Sequence, residues 1–360
     1  MGDNDKRLDY ITNIRTVSTL FIVLGHCMLF FDANPFFPER SGIISEPVAF
    51  AYKYIDMTLI AAYVFCSGFL YARVLEKHQR SIASSILERA KRLLVPYYLY
   101  GALWVVPLYT FFDIKTFGRE PEHAGYLQGY KCMLLGRFAD HLWFLWMLFW
   151  VSLFFILTSW FIKRRKFVIL FILTVAAAVF DSVMLCDFPY FKLSQIAPHL
   201  IVYFVGIICY TYRERIENLP ALVHVLIAFA LFAVMTVYAW AGDIADLSHF
   251  AFIYVIKTVG ALFMLFVFLA IGRTAFWKSI ADTAAYRYLV RHGVELYLIN
   301  MPFPYLYFRL FFPHTGQHVW LCILLMFTHS MLAIVLFIQL KHMIFAAKSR
   351  ICNRGSANEK

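Results

Sequence analysis

Ten apolar stretches, each long enough to cross about 30 Å of hydrocarbon as a helix, leave this 360-residue chain little choice of fold. They lie near 11–31, 54–72, 93–112, 141–162, 167–186, 195–212, 220–240, 249–271, 292–311 and 318–340. The sequence between them is too short and too apolar to build a solvated surface. Of all residues, 62% are hydrophobic and only 15% are charged, whereas a soluble domain carries about 25% charge. Backbone groups in lipid must find partners within their own segment, so the expected fold is an all-α bundle of about ten transmembrane helices. The third stretch contains Pro96 and Pro107 and the ninth contains Pro302 and Pro304, so both are expected to be kinked or broken.

Lys and Arg set the orientation. With the N-terminus inside, the inner connections hold 23 of the 33 basic residues and the outer ones 7. The inner set includes the loop 73–92 and the run Lys163-Arg164-Arg165-Lys166. This bias predicts both termini in the cytoplasm and accounts for the formal net charge of +11 without a nucleic-acid partner. One membrane domain is expected over 1–345, followed by a short polar cytoplasmic tail over 346–360. Arg15 and His26 interrupt the first apolar run and no small-residue cleavage site follows it, so it reads as a span and not as a signal peptide. The expected setting is the lipid bilayer of a bacterial plasma membrane, with homo-oligomerisation left open. Cys27, Cys66, Cys209 and Cys322 fall within spans, no CxxC spacing occurs, and no metal is expected.

Arg15 and His26 are the residues least at home in hydrocarbon. Eleven helical steps of about 100° return to nearly the same face, with a rise of about 16 Å. An arginine near one surface therefore puts His26 near mid-depth and in line with it. Ionisable groups so placed point to function, unless Arg15 merely snorkels to the headgroups. In the loop 73–92, Arg89 and Arg92 are three apart and share a helical face. Two guanidiniums there form a fork suited to phosphate oxygens; the plainer reading is positive-inside anchoring.

Other polar residues rank lower. Glu295 lies four residues after Arg291 and pairs with it or serves chemistry. Tyr297 and Asn300 line a polar cavity or bond between helices. Trp143, Phe144, Trp146 and Trp150 are an interfacial aromatic belt or, for Trp143 above all, a sugar-stacking platform. Asp56 and His141 stand at outer ends of spans, where they meet an acceptor or simply water. Lys257 needs a partner such as Asp181, although nothing in the sequence pairs them.

Four short motifs in order carry a resemblance. They are Arg15-x10-His26, Ser67-Gly68-Phe69 at the end of a phenylalanine-rich span, Arg89-x-x-Arg92 before Leu93-Leu94-x-Pro96, and His141-Leu142-Trp143-Phe144-Leu145. Together they resemble the acyltransferase 3 family over nearly all of 7–345. Two places depart from it: Asn300 stands where the family often has histidine in Tyr-Leu-x-His, and Asp56-Met57-Thr58 replaces a His-Met-Pro-like entry to the second span. The resemblance implies transfer of an acyl group, acetyl being the commonest, from cytoplasmic acyl-CoA to a hydroxyl of a cell-envelope glycan. In that scheme Arg89 and Arg92 hold the nucleotide phosphates of the donor. His26 is the general base, or alternatively carries the acyl group, and Arg15 lines the entry path. Trp143, Asp56, Glu295 and Asn300 are the candidates for acceptor binding. Acceptor selectivity is expected in the long outer connections near 32–53 and 113–140. The competing class is a transporter or flippase that binds an ionic substrate at Arg15, His26 and Glu295. It should show two matching halves with interrupted helices, and none is apparent.

Overall fold

The computed structural model describes residues 9–32, 43–78, 80–112, 125–137, 140–185, 188–241, 247–315 and 318–357. Helices dominate and no strand occurs among these residues. In chain order they are α1 (Asp9–Met28), α2 (Glu46–Lys77), α3 (Ile82–Tyr100), α4 (Val106–Phe111), α5 (Tyr126–Leu134), α6 (Trp143–Leu157), α7 (Ser159–Lys163), α8 (Phe167–Met184), α9 (Ala197–Thr211), α10 (Arg213–Glu217), α11 (Ala221–Ala241), α12 (Leu247–Ile271), α13 (Ala275–Ala281), α14 (Ala284–Ile299), α15 (Pro302–Thr315) and α16 (Val319–Ala357). Local chemistry sets several of the starts. Ser81, Thr274 and Thr283 accept from backbone N–H groups in the first turns of α3, α13 and α14. Proline opens α2, α4 and α9, where its missing N–H costs nothing.

Seven helices among the described residues are long and apolar enough to cross a membrane: Asp9–Phe31, Glu46–Lys77, Ile82–Phe111, Phe167–Met184, Ala221–Trp240, Tyr254–Ile271 and Val319–Met343. The protein is a multi-pass membrane protein. Three further expected spans take another form. Residues 141–162 form the 15-residue α6 and then the short α7, and 195–212 form the 15-residue α9. The ninth stretch breaks into α14 and α15 around Asn300, as its prolines lead one to expect. The third stretch bends through a π-helical turn, Gly101–Val105, between Pro96 and Pro107. The backbone of α16 runs on to Ala357, so the segment expected as a tail from 346 continues that helix. Of the outer connections, 33–42, 113–124 and 138–139 lie outside the described residues, and the selectivity expected of those stretches lies there with them.

Burial sorts the helices into centre and rim. In α1 and α2, 67% of the apolar window is buried, against 22% in α8 and 17% in α11. The exposed faces of α8, α11 and α16 carry Phe171, Val179, Phe229, Val237, Leu324 and Leu336, apolar side chains suited to a lipid environment. The central helix α2 packs on α1, α9 and α12. Its contact with α9 is made by glycines: a Cβ on Gly68 would fall closer than 3.0 Å to the Tyr203 carbonyl oxygen, and one on Gly206 equally close to that of Phe65. Gly260 of α12 meets the Met57 carbonyl of α2 in the same way. With no hydrophobic driving force between helices inside a bilayer, such close approach supplies the packing energy. The Ser67-Gly68-Phe69 motif is thus the seam of the bundle.

Candidate functional site

A cavity of about 450 Å³ lies among α1, α2, α3, α6 and α14. Arg80, Ser85, Glu88 and Arg92 line one end; Tyr63, Phe144, Leu145, Tyr297 and Leu298 line its interior, with Arg15 and Arg89 also on its wall. Four guanidiniums against one carboxylate make the space electropositive. Arg15 is half-buried and has no carboxylate partner among the described residues, and a cation so placed favours an anionic guest. Arg89 is half-buried and donates to the Tyr203 hydroxyl at 3.3 Å. Arg92 is exposed, 2.6 Å from Glu88, and Glu88 also pairs with Arg80. The two arginines of the motif therefore divide, Arg89 reaching inward and Arg92 staying at the rim. Arg80 and Glu88 escaped the sequence reading; the four-residue spacing of Glu88 and Arg92 was the one visible sign.

One face of α1 runs along this space. Arg15, Thr19, Ile22 and His26 recur at helical spacing, with the Thr19 hydroxyl bonded to the Arg15 carbonyl at 3.0 Å and to Tyr63 across the gap. Ile22 lines the cavity and His26 stands one turn beyond it, half-buried. The His26 Nδ1 lies 2.6 Å from Oδ1 of Asn300, which is fully buried. The amide is fixed the right way round, because Asn300 Nδ2 donates to the Tyr297 carbonyl at 2.7 Å. Oδ1 can only accept, so His26 donates through Nδ1–H and its Nε2 keeps a free lone pair. Asn300, ranked at sequence level as an acceptor-binding residue, is a direct partner of His26.

The break between α14 and α15 makes this possible. Pro302 and Pro304 have no N–H to offer the carbonyls of the preceding turn, and freed carbonyls inside a membrane need other partners. Asn300 Nδ2 serves Tyr297, His141 Nε2–H serves Leu298 at 3.1 Å, and Trp104 Nε1–H serves Ile299 at 3.3 Å. The Tyr297 hydroxyl in turn donates to the His141 carbonyl. His141 is buried, not at a water-facing end of a span, and heals the helix break.

The remaining candidates lie elsewhere. Glu295 bonds to Lys341 and to His292 Nδ1 at 2.8 Å, not to Arg291, and does not line the cavity. Asp56 pairs with Lys257 at 2.7 Å. The suggested Lys257–Asp181 pair is replaced, because Asp181 accepts from the Ala197 N–H at the start of α9, at 2.9 Å. Trp143 is half-buried, with its ring 5.9 Å from that of His199. Trp146 packs inward on Phe191 and Tyr97. The cysteines Cys27, Cys66, Cys132, Cys209 and Cys322 are buried and stand outside any disulfide.

The site is thus an arginine-lined cavity inside a multi-pass membrane protein, with an imidazole held by Asn300 one helical turn beyond its wall. Comparison with known protein families matches residues 8–339 to the acyltransferase domain of the acyltransferase 3 type, and the chain belongs to that family. No curated protein and no solved structure matches it.

Proposed function

We propose that this protein is a transmembrane O-acyltransferase that passes an acyl group, acetyl in the first instance, from cytoplasmic acyl-CoA to a hydroxyl of an extracytoplasmic or lipid-linked glycan. The observation that carries this reading is the cavity itself, with Arg80, Arg89 and Arg92 on its wall together with Ile22, one helical turn before His26. Coenzyme A is a polyanion joined to a thioester by a long flexible arm, which matches a space that is basic at its mouth and apolar inside. Arg89 and Arg92 bind the phosphates, Arg15 draws the donor inward, and the arm brings the thioester to His26. There Nε2 takes the proton of the acceptor hydroxyl as its oxygen attacks the thioester carbonyl. The C–S bond breaks, and the leaving thiolate recovers the proton from the imidazolium. Asn300 is a positioning residue that holds the tautomer this step requires.

The scheme rests on ten membrane crossings with both termini in the cytoplasm of a bacterial cell, so that residues 73–92 face the donor. The 23 to 7 basic bias supports that orientation. Trp143 and the Asp56–Lys257 pair are the groups we assign to the acceptor side. Glu295 belongs to a separate cluster with Lys341, which removes one member of the ionic set a transporter would use. Mass spectrometry of the envelope glycan from a deletion strain, complemented with parent or His26→Ala protein, tests the reading. Acyl groups should be lost on deletion and restored only by the parent; full restoration by well-expressed His26→Ala protein overturns it.

A further inference from the structure

We propose that His292, Glu295 and His342 form a divalent-metal site, of the kind that takes zinc, joining α14 to α16. His292 and Glu295 are three residues apart on α14 and share a face; His342 comes from α16. Glu295 Oε2 lies 2.8 Å from His292 Nδ1 and 3.8 Å from His342 Nε2, and one ligand atom from each residue falls within 4.8 Å of the others. Around tetrahedral zinc with bonds of about 2.0–2.2 Å, ligand atoms sit roughly 3.3–3.5 Å apart, between the two separations from Glu295 Oε2 seen here. The carboxylate is divided in its duties. Oε1 is held by Lys341 Nζ, while Oε2 faces both imidazoles. Lys341 therefore stands where an outer partner orients a metal-bound carboxylate, not in the space between the three ligands.

The rings are held by packing, with Tyr288 4.4 Å from His292 and the two imidazoles 5.3 Å apart. Two histidines and a glutamate leave a fourth position for water, and exposure rises from 12% at His292 to 52% at His342, giving the ion a way in. No sequence motif announces the site, because its third ligand arrives on another helix. Helix α14 also lends Val294, Tyr297 and Leu298 to the cavity, so a metal here would fix that wall against α16. The inference stands apart from the acyl-transfer reading, and its test does not measure activity.

Full-length protein is purified in detergent with a histidine-free tag, stripped with chelator, and titrated with Zn²⁺ by calorimetry and with Co²⁺ by visible absorption. One equivalent should bind, with an intense tetrahedral cobalt band. Glu295→Gln, which keeps the side-chain shape, should weaken binding at least about tenfold, the lower end of what loss of even an outer-shell partner costs. The pair His292→Ala/His342→Ala should abolish it. Lys341→Met, which removes the outer partner of the carboxylate, should weaken binding by less than the paired histidine variant does. Absence of stoichiometric binding to folded parent protein overturns the proposal, as does equal affinity in the double variant. Should the double variant elute as aggregate, undiminished binding in Glu295→Gln overturns it instead.

Discussion

Replacing Asn300 by alanine separates a residue that acts through His26 from one that acts on substrate. In the parent, His26 Nδ1–H donates to Oδ1 at 2.6 Å, and Nδ2 is anchored on the Tyr297 carbonyl at 2.7 Å. Alanine leaves the imidazole N–H without its acceptor, facing the buried space that the Asn300 side chain had filled. An unsatisfied buried group of this kind costs about 1–3 kcal/mol, and the ring escapes it by rotating or by moving its proton to Nε2. Either response removes the free lone pair that accepts the acceptor's proton. Expressed in the rate, that is a fall in kcat of about 5- to 150-fold, with KM for the acyl-CoA donor unchanged, because Asn300 does not line the cavity. His26→Ala should cost more, about 10²–10⁴-fold. The decisive comparison is the double variant, in which His26→Ala/Asn300→Ala should be no slower than His26→Ala alone. The assay is acyl transfer by purified protein in lipid, with thermal unfolding of each variant to account for the lost helix-end bond. An additive fall in the double variant, or a rise in donor KM at constant kcat, refutes the positioning argument.

Arg89→Ala should weaken donor binding by about 1.5–3 kcal/mol, the worth of a charge-assisted phosphate bond, and by more than Arg92→Ala, whose guanidinium is exposed and shared with Glu88; lysine at either place should restore only part, since it lacks the fork, and unchanged donor affinity in the double alanine variant returns this loop to topology. Gly68→Ala should destabilise the folded protein by about 1–3 kcal/mol, because its Cβ meets the Tyr203 carbonyl of α9; an unchanged unfolding temperature would place the seam elsewhere. For sidedness, Ser84→Cys should be shielded from an impermeant thiol reagent in intact cells and Gly125→Cys should react, the reverse pattern inverting the topology and putting the arginines on the wrong side from coenzyme A.

Local rules carried far into this molecule where they concerned one element at a time. Helical spacing alone puts Arg15 and His26 on one face of α1, and the prolines alone mark α14 and α15 as broken. Hydropathy gave the long spans but not their shape: α6 stops at Leu157, short of the apolar stretch that continues into α7. Pairings between elements stayed hidden. His26 and Asn300 are 274 positions apart, and Asp56 and Lys257 are 201 apart. Such partners are chosen by how helices pack, which a single sequence does not state. Asn300 illustrates the cost, since an isolated amide in a span reads equally as substrate ligand or helix glue. Only its two opposite bonds, one to an imidazole and one to a carbonyl in the last turn of α14, identify its part.

The glycine seam along α2 has a mechanical consequence. Where two helices touch through side chains, small rotations are absorbed by rotamers; where they touch backbone to backbone, there is nothing soft between them. At Gly68 and Gly206 the main chains of α2 and α9 meet directly, and at Gly260 α12 joins them. These three helices form a rigid keel that cannot slide or rock by degrees. Whatever opens and closes during turnover must therefore be hung from the keel: α3 with its π-helical turn, and α14 and α15 on either side of Asn300. Residues of α3 and α14 line the arginine-bearing cavity, so the compliant parts of the protein are also walls of that space.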